Sequence, residues 1–156
     1  MAVKDVAARL YRDRVDRATA VFAEAVDPPA EGWMATARKA LGMSAAEVAR
    51  RLGVTRARVS QAEKAEAEGG VTLRTMRATA EAMGCRFVYA IVPAEGRVEE
   101  AILAQARRKA RALVGRASDH MALERQGLPE ATNRAEAERL ARELARTMPA
   151  DFWTGP

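Results

Sequence analysis

Along most of this chain apolar residues recur at intervals of three and four with charged residues between them, the period of amphipathic helices. From Val3 to Val26 the larger apolar residues are Val6, Leu10, Val15, Val21 and Phe22 in an Ala-rich, charge-laced stretch, which predicts one helix. Asp27-Pro28-Pro29 stops it, because the residue before a proline avoids helical geometry and paired prolines cannot continue a helix. A second helix is expected from about Gly32 to Leu41, closed by Gly42. Ser44 with Glu47 three residues on is a capping box that opens a third, which ends at Gly53. Thr55 caps a fourth through about Glu66, Gly69-Gly70 breaks it, and Thr72 caps a fifth that ends at Gly84.

The period changes once. Cys85-Arg86-Phe87-Val88-Tyr89-Ala90-Ile91-Val92, bounded by Gly84 and Pro93, is β-branched and aromatic in its middle and reads as a single strand. Phe87, Tyr89 and Ile91 share one face, with Val88, Ala90 and Val92 on the other, so both faces are apolar, as in a strand covered on both sides. Its unpaired edges need a partner, either its copy in a homodimer or a strand of another protein. The alternative is an extended segment lying over the helices. A long helical pattern follows from Val98 to about Arg125, with a basic run Arg107-Arg108-Lys109-Arg111 and room for a bend at Gly115, before Gly127-Leu128-Pro129 ends it. Asn133 with Glu136 caps a last helix to about Met148, and the tail carries Phe152 and Trp153. There are no repeats and no low-complexity linker.

Composition narrows the picture. A chain of 156 residues suits one compact domain with extensions, and 36 alanines within its 49% hydrophobic residues imply a helical chain with a thin core. No apolar run approaches a membrane span, and the N-terminal MAVKDVAARLYRDR is charged where a signal peptide is apolar, so a cytoplasmic location without membrane contact is expected. The lone Cys85 excludes an intramolecular disulfide and a cysteine zinc site, and the lone His120 excludes a His-rich metal cluster. With no nucleophile–base set either, neither an enzyme, a metal nor a cofactor is expected. Net charge is +5, carried by 22 Arg against 4 Lys, which favours anionic partners such as phosphate backbones. The excess lies between 31 and 115, since residues 1–30 sum to zero and 116–156 to −1.

Residues 45–62 have the spacing of a helix-turn-helix. Ala49 is small where the two helices cross, Gly53 supplies the positive φ of a tight turn, and Val48, Leu52, Val54 and Val59 are the apolar contacts that fix the interhelix angle. Thr55 caps the second helix so that its N-terminus points outward with free N–H groups, suited to a phosphate. The exposed face of that helix is then Arg56, Ala57, Ser60 and Gln61, flanked by Arg58 and Lys64, and Arg and Gln read base edges bidentately in the major groove.

Residues from about Gly32 to Ala82 resemble the five-helix, lambda-repressor-like Xre/Cro DNA-binding domain, through Gly32-Trp33, Arg38, Leu41-Gly42-Met43-Ser44, the motif itself and Val71-Thr72-Leu73. A narrower resemblance spans nearly the whole chain and is to the mobile mystery protein A family. It adds Gly84 to Pro93, His120-Met121-Ala122-Leu123-Glu124 and the Pro149-x-x-Phe152-Trp153 ending. That resemblance implies an antitoxin-type regulator encoded beside a Fic-domain protein. The Xre-type resemblance counts Ser44 among the DNA-binding residues, places Thr55 on the DNA backbone, Arg56, Ala57 and Gln61 over base edges and Arg58 on phosphate, and pairs Arg38 with Glu63. One departure matters: where the Xre group commonly has a phosphate-binding Gln after the Ser44 cap, this chain has Ala45, which shifts affinity toward Arg50, Arg51 and Lys64.

Fic proteins are often restrained by a helix bearing Ser/Thr-x-x-x-Glu-Gly/Asn; the nearest approach here is Thr132-x-x-x-Glu136, followed by Ala137, and it reads as a helix cap. The Arg107 to Arg111 run reads as a solvated face or a phosphate contact, His120 and Met121 as packing residues, Cys85 as a small buried apolar residue, and Phe152 with Trp153 as either a pin to the core or an exposed anchor.

The expected protein is therefore mainly α: an N-terminal helical arm (1–30), an Xre-type helix-turn-helix domain (31–84), one strand for dimerisation or partner pairing (85–93) and a C-terminal helical region (94–156). The expected function is sequence-specific repression by a homodimer on a palindromic operator, probed by two recognition helices about 34 Å apart. The resemblance adds autoregulation of an operon and neutralisation of a Fic-domain toxin; the alternative is a plain Xre regulator without that second role.

Overall fold

A computed structural model describes residues 3–24, 26–124 and 127–155. Its helices are α1 (Val3–Phe22), α2 (Trp33–Ala40), α3 (Ala45–Leu52), α4 (Arg56–Ala67), α5 (Leu73–Ala82), α6 (Val98–Leu123) and α7 (Glu130–Thr147). They fall into two compact units, Glu24–Ala90 and a second made of Met1–Ala23 with Ile91–Pro156.

Among its described residues the 24–90 unit holds four helices, not five, because Gly42 to Ser44, Gly53 to Thr55 and Gly69 to Thr72 cut the stretch into four pieces. Each cut is made by local chemistry. The Ser44 hydroxyl accepts from the Glu47 amide at 3.2 Å while the Glu47 carboxylate accepts from the Ser44 amide at 2.7 Å, closing the capping box. Thr55 and Thr72 accept in the same way from Arg58 N and Thr75 N, both at 3.1 Å. Val48, Ala49, Val59 and Met83 form the core, with Ala37, Met43, Ala45 and Leu52 packed against it. Val54, expected among these contacts, is 42% exposed instead.

The expected strand over 85–93 is not formed. Among the described residues, none is in a strand, and neither the N–H nor the C=O of any residue from 86 to 92 makes a backbone hydrogen bond. The physical reason is that a ladder needs a second edge, which the described residues of this chain do not supply. Nor is the segment covered on both faces: Val88, Tyr89 and Ile91 are exposed, and so is Cys85, expected to be buried.

In the other unit, α6 and α7 pair through Ile102, Ala106, Ala110, Ala141, Leu144 and Phe152. The alanines at this crossing let two backbones approach closely. α6 runs unbroken through Gly115, and its expected end near Arg125 lies outside the described residues. α1 joins the unit through Asp16, whose carboxylate accepts from Val98 N at 2.9 Å and from the Arg97 guanidinium at 3.2 Å, so the start of α6 is capped by a residue of another helix. Asn133 does not cap α7, which begins at Glu130 after Pro129; its amide donates to Ser118 Oγ of α6 at 2.8 Å. Pro129 preorganises the helix start, and Asn133 falls inside the first turns.

The basic run is mostly engaged within this unit. Arg107 makes a forked pair with Glu138, Arg108 donates to Gln105 Oε1 at 2.7 Å, and Lys109 is buried, its ammonium bonded to the Asp151 carboxylate at 2.8 Å and to the carbonyls of Asp151 and Thr154. That ammonium holds the Asp151 carboxyl below the usual carboxylate range. The run is thus neither a free phosphate surface nor a wholly solvated face. Phe152 is fully buried beneath Trp153, which stands 61% exposed with its ring edge-on at 5.0 Å. The two expected fates of the tail aromatics are divided between them. His120, expected to pack, is exposed, 3.7 Å from Glu124.

Candidate nucleic-acid interface

α3 and α4 are set by the turn between them. Gly53 takes φ 68°, a left-handed conformation that closes α3, and Val54 N then bonds back to Ala49 O at 3.0 Å. Ala49, 3% exposed, sits under the crossing, and Val59 is the buried residue through which α4 grips the core.

Anchored by Val59, α4 presents Arg56, Ala57, Ser60, Gln61 and Lys64 to solvent, together with Arg58. Among the described residues, the side chains of Arg56, Arg58, Ser60 and Gln61 have no hydrogen-bond or ion-pair partner, and Lys64 is only 3.8 Å from Glu68 across an exposed turn. Thr55 is occupied as an acceptor by its cap, which leaves its hydroxyl hydrogen to donate outward. Ser44 is more fully engaged: its hydroxyl also donates to Glu47 Oε2 at 2.8 Å. The two hydrogen bonds donated by the Ser44 amide and hydroxyl hold the Glu47 carboxyl below the usual carboxylate range, helped by Arg50 and Arg51. Arg51 is tied to the Ala82 carbonyl at 3.1 Å, so of the side chains expected to make up for Ala45 only Arg50 is uncommitted to a backbone or acidic partner other than Glu47.

Two carboxylates from α4 hold α2 in place behind this face. Arg38 makes a forked pair with Glu63, Nε at 2.6 Å and Nη2 at 3.0 Å, with both side chains 15% exposed, and its third nitrogen donates to Met43 O at 3.1 Å. The Glu63 carboxylate raises the Arg38 guanidinium further above its ordinary value. The pairing is the one implied by the Xre resemblance. The second carboxylate, Glu66, was not expected. It accepts from Trp33 N at 2.6 Å and Met34 N at 2.8 Å, capping α2 from another helix. The signal for it was the helix start at Gly32-Trp33, which has no Ser, Thr, Asp or Asn to serve as its own cap.

Phe87, Val88, Tyr89, Ala90 and Ile91, the other expected contact residues, lie apart from α4 in sequence, in a stretch with no helix or strand where the Phe87 and Tyr89 rings stack at 5.5 Å. Thr132 and Glu136 lie on α7, where Glu136 is bonded to Arg139 at 2.6 Å.

A helix-turn-helix family model matches residues 34–89, which contain all of α2 but its first residue, α3 to α5 and the segment that follows as far as Tyr89. No curated protein and no solved structure matches the chain.

Proposed function

Residues 34–89 are a helix-turn-helix domain of the Xre type, the domain of DNA-binding transcriptional regulators, and from that premise we propose that the chain is a sequence-specific repressor of its own promoter. The observation that carries this reading is the row Arg56, Ala57, Ser60 and Gln61, exposed and unengaged on a helix whose other side is fixed by Val59, Glu63 and Glu66. Preorganised donors on a rigid helix are what major-groove reading requires. In this reading Arg56 and Gln61 contact base edges with Ala57 between them, Thr55 and the free N–H groups at the start of α4 contact the backbone, Arg58 and Lys64 lie on phosphate, and Ser44 holds the start of α3 against the strand. Two copies read a palindrome whose half-sites lie about 10 base pairs apart.

Binding measured across operator variants tests this. Arg56→Ala and Gln61→Ala are expected to lose roughly 1–3 kcal/mol of discrimination at one base position each, whereas Thr55→Val weakens all sequences alike. Unchanged base preference in both of the first two variants sinks the assignment.

The finer reading is that the repressor is the antitoxin of a Fic-domain partner. It rests on the resemblance to the mobile mystery protein A family, and apolar surface outside the DNA-binding unit supports it: Val3, Leu10, Tyr11 and Val21 of α1 and Trp153 of the tail are all exposed. Co-expression of the full chain with the Fic-domain protein, followed by light scattering and a promoter gel shift, separates the alternatives. A stable complex that shifts the promoter supports the antitoxin; a lone homodimer that shifts it leaves a plain Xre regulator.

A further inference from the structure

We propose that residues 86–92 of two copies pair as an antiparallel two-stranded ribbon with Tyr89 on the two-fold axis, and that this ribbon joins the repressor dimer. The inference rests on the two-copy reading of the operator and supplies the contact that reading lacks.

Four observations lead to a second copy of this chain as the occupant. First, the segment is in no helix, strand or turn and its backbone is unspent: among the described residues no N–H or C=O from 86 to 92 is bonded to another backbone group, and no side chain bonds to them. Second, its apolar side chains face solvent, with Val88 53%, Tyr89 58% and Ile91 90% exposed. Third, the side-chain order suits self-pairing. A two-fold axis normal to a ribbon sets residues opposite one another whose numbers have the same parity, so Phe87, Tyr89 and Ile91 of both copies share one face. With Tyr89 on the axis, Phe87 faces the partner's Ile91 and Val88 faces the partner's Ala90, and the existing Phe87–Tyr89 stack becomes one half of a continuous row.

Fourth, charge and proline position select this register. Arg86 is the one charged residue from 86 to 92. Antiparallel pairing about Tyr89 puts the two Arg86 side chains at opposite ends, about 20 Å apart, whereas parallel pairing would set them side by side. Pro93, which has no N–H to give a ladder, then falls just beyond the last pair, Arg86 with Val92.

The test uses the full chain. Light scattering is expected to give twice the chain mass for the unaltered protein and the single-chain mass for Tyr89→Glu, which brings two carboxylates together on the axis. Helical circular dichroism should be unchanged, and Tyr89→Glu should keep its affinity for an isolated half-site while losing the tighter binding that the unaltered chain shows on the palindrome. In a Cys85→Ser background, mild oxidation should link Tyr89→Cys into a covalent dimer and leave Arg86→Cys unlinked. A Tyr89→Glu protein that stays dimeric, or an Arg86→Cys that links as readily as Tyr89→Cys, overturns the ribbon while leaving two-copy DNA binding intact. An unaltered chain that is monomeric both free and on the palindrome overturns the two-copy reading itself.

Discussion

Phe152→Ala is expected to cost the α6–α7 unit about 4 kcal/mol, the upper range for truncating a fully buried aromatic. Phe152 is 1% exposed and sits in one cluster with Ile102, Ala106, Ala110, Ala141 and Leu144. Those alanines are too short to reach into the space a lost ring would leave, so little collapse can offset the cavity. The loss also loosens the tail. The Phe152 carbonyl accepts from Gln105 Nε2 at 2.9 Å, a buried amide, and the flanking Asp151 and Thr154 hold the ammonium of Lys109. Urea unfolding followed by helical circular dichroism reads the effect. Trp153→Ala is the control: its ring is mostly in solvent, so it should lose only the edge-to-face contact, about 1 kcal/mol. Equal losses in the two variants would show that the tail is not pinned by Phe152.

Gly32→Ala should destabilise the helix-turn-helix unit by about 3 kcal/mol and lower operator affinity at temperatures where that unit begins to melt. Two costs combine. Gly32 has φ 85° and ψ 162°, a region that residues with a Cβ essentially avoid, which alone costs about 1–3 kcal/mol. A Cβ there would also stand 2.8 Å from Glu66 Cδ and 2.9 Å from Oε2. Since that carboxylate caps α2 through Trp33 N and Met34 N, moving it strips two amides of their acceptor. Gly53→Ala separates the two costs: it has φ 68° but nothing within 4 Å of the added atom, so it should lose only the conformational part, about 1–2 kcal/mol. Thermal unfolding of both variants measures the difference, and a Gly32→Ala chain no less stable than Gly53→Ala would remove Glu66 from its capping role.

What was legible in the sequence was local. The caps at Ser44, Thr55 and Thr72 and the turn at Gly53 are each specified by residues within three or four positions, and each forms as expected. Caps delivered from afar were not legible: Glu66 reaches Trp33 across 33 positions and Asp16 reaches Val98 across 82. Asn133 shows the converse, a residue with good cap chemistry that the fold spends on Ser118 because Pro129 already starts the helix. The Arg107 to Arg111 run misled because charge hid periodicity. Lys109 shares the inward stripe of Ile102, Gln105 and Ala106, and the buried ammonium finds its partners only in the tail, some forty positions on. On the candidate interface the reading of exposed residues on α4 rested on the same i, i+3, i+4 logic, with Val59 as the fixed inward point, and those side chains do lie in solvent.

The clasp between Asp16 and the start of α6 gives the molecule a timetable as well as a shape. One unit is continuous in sequence, Glu24–Ala90, while the other is interrupted by it. As the chain leaves a ribosome, the continuous unit is complete once residue 90 is out. α1, made before that unit, must then wait for Val98 before Asp16 meets the amide it caps, and for Phe152 before the α6–α7 core closes. At about 5–20 residues per second the gap between residues 90 and 152 lasts roughly 3–12 seconds. During that interval a nascent chain carries a finished helix-turn-helix unit beside an unfinished one, and α1 meets its partner only after the unit that follows it in sequence is complete.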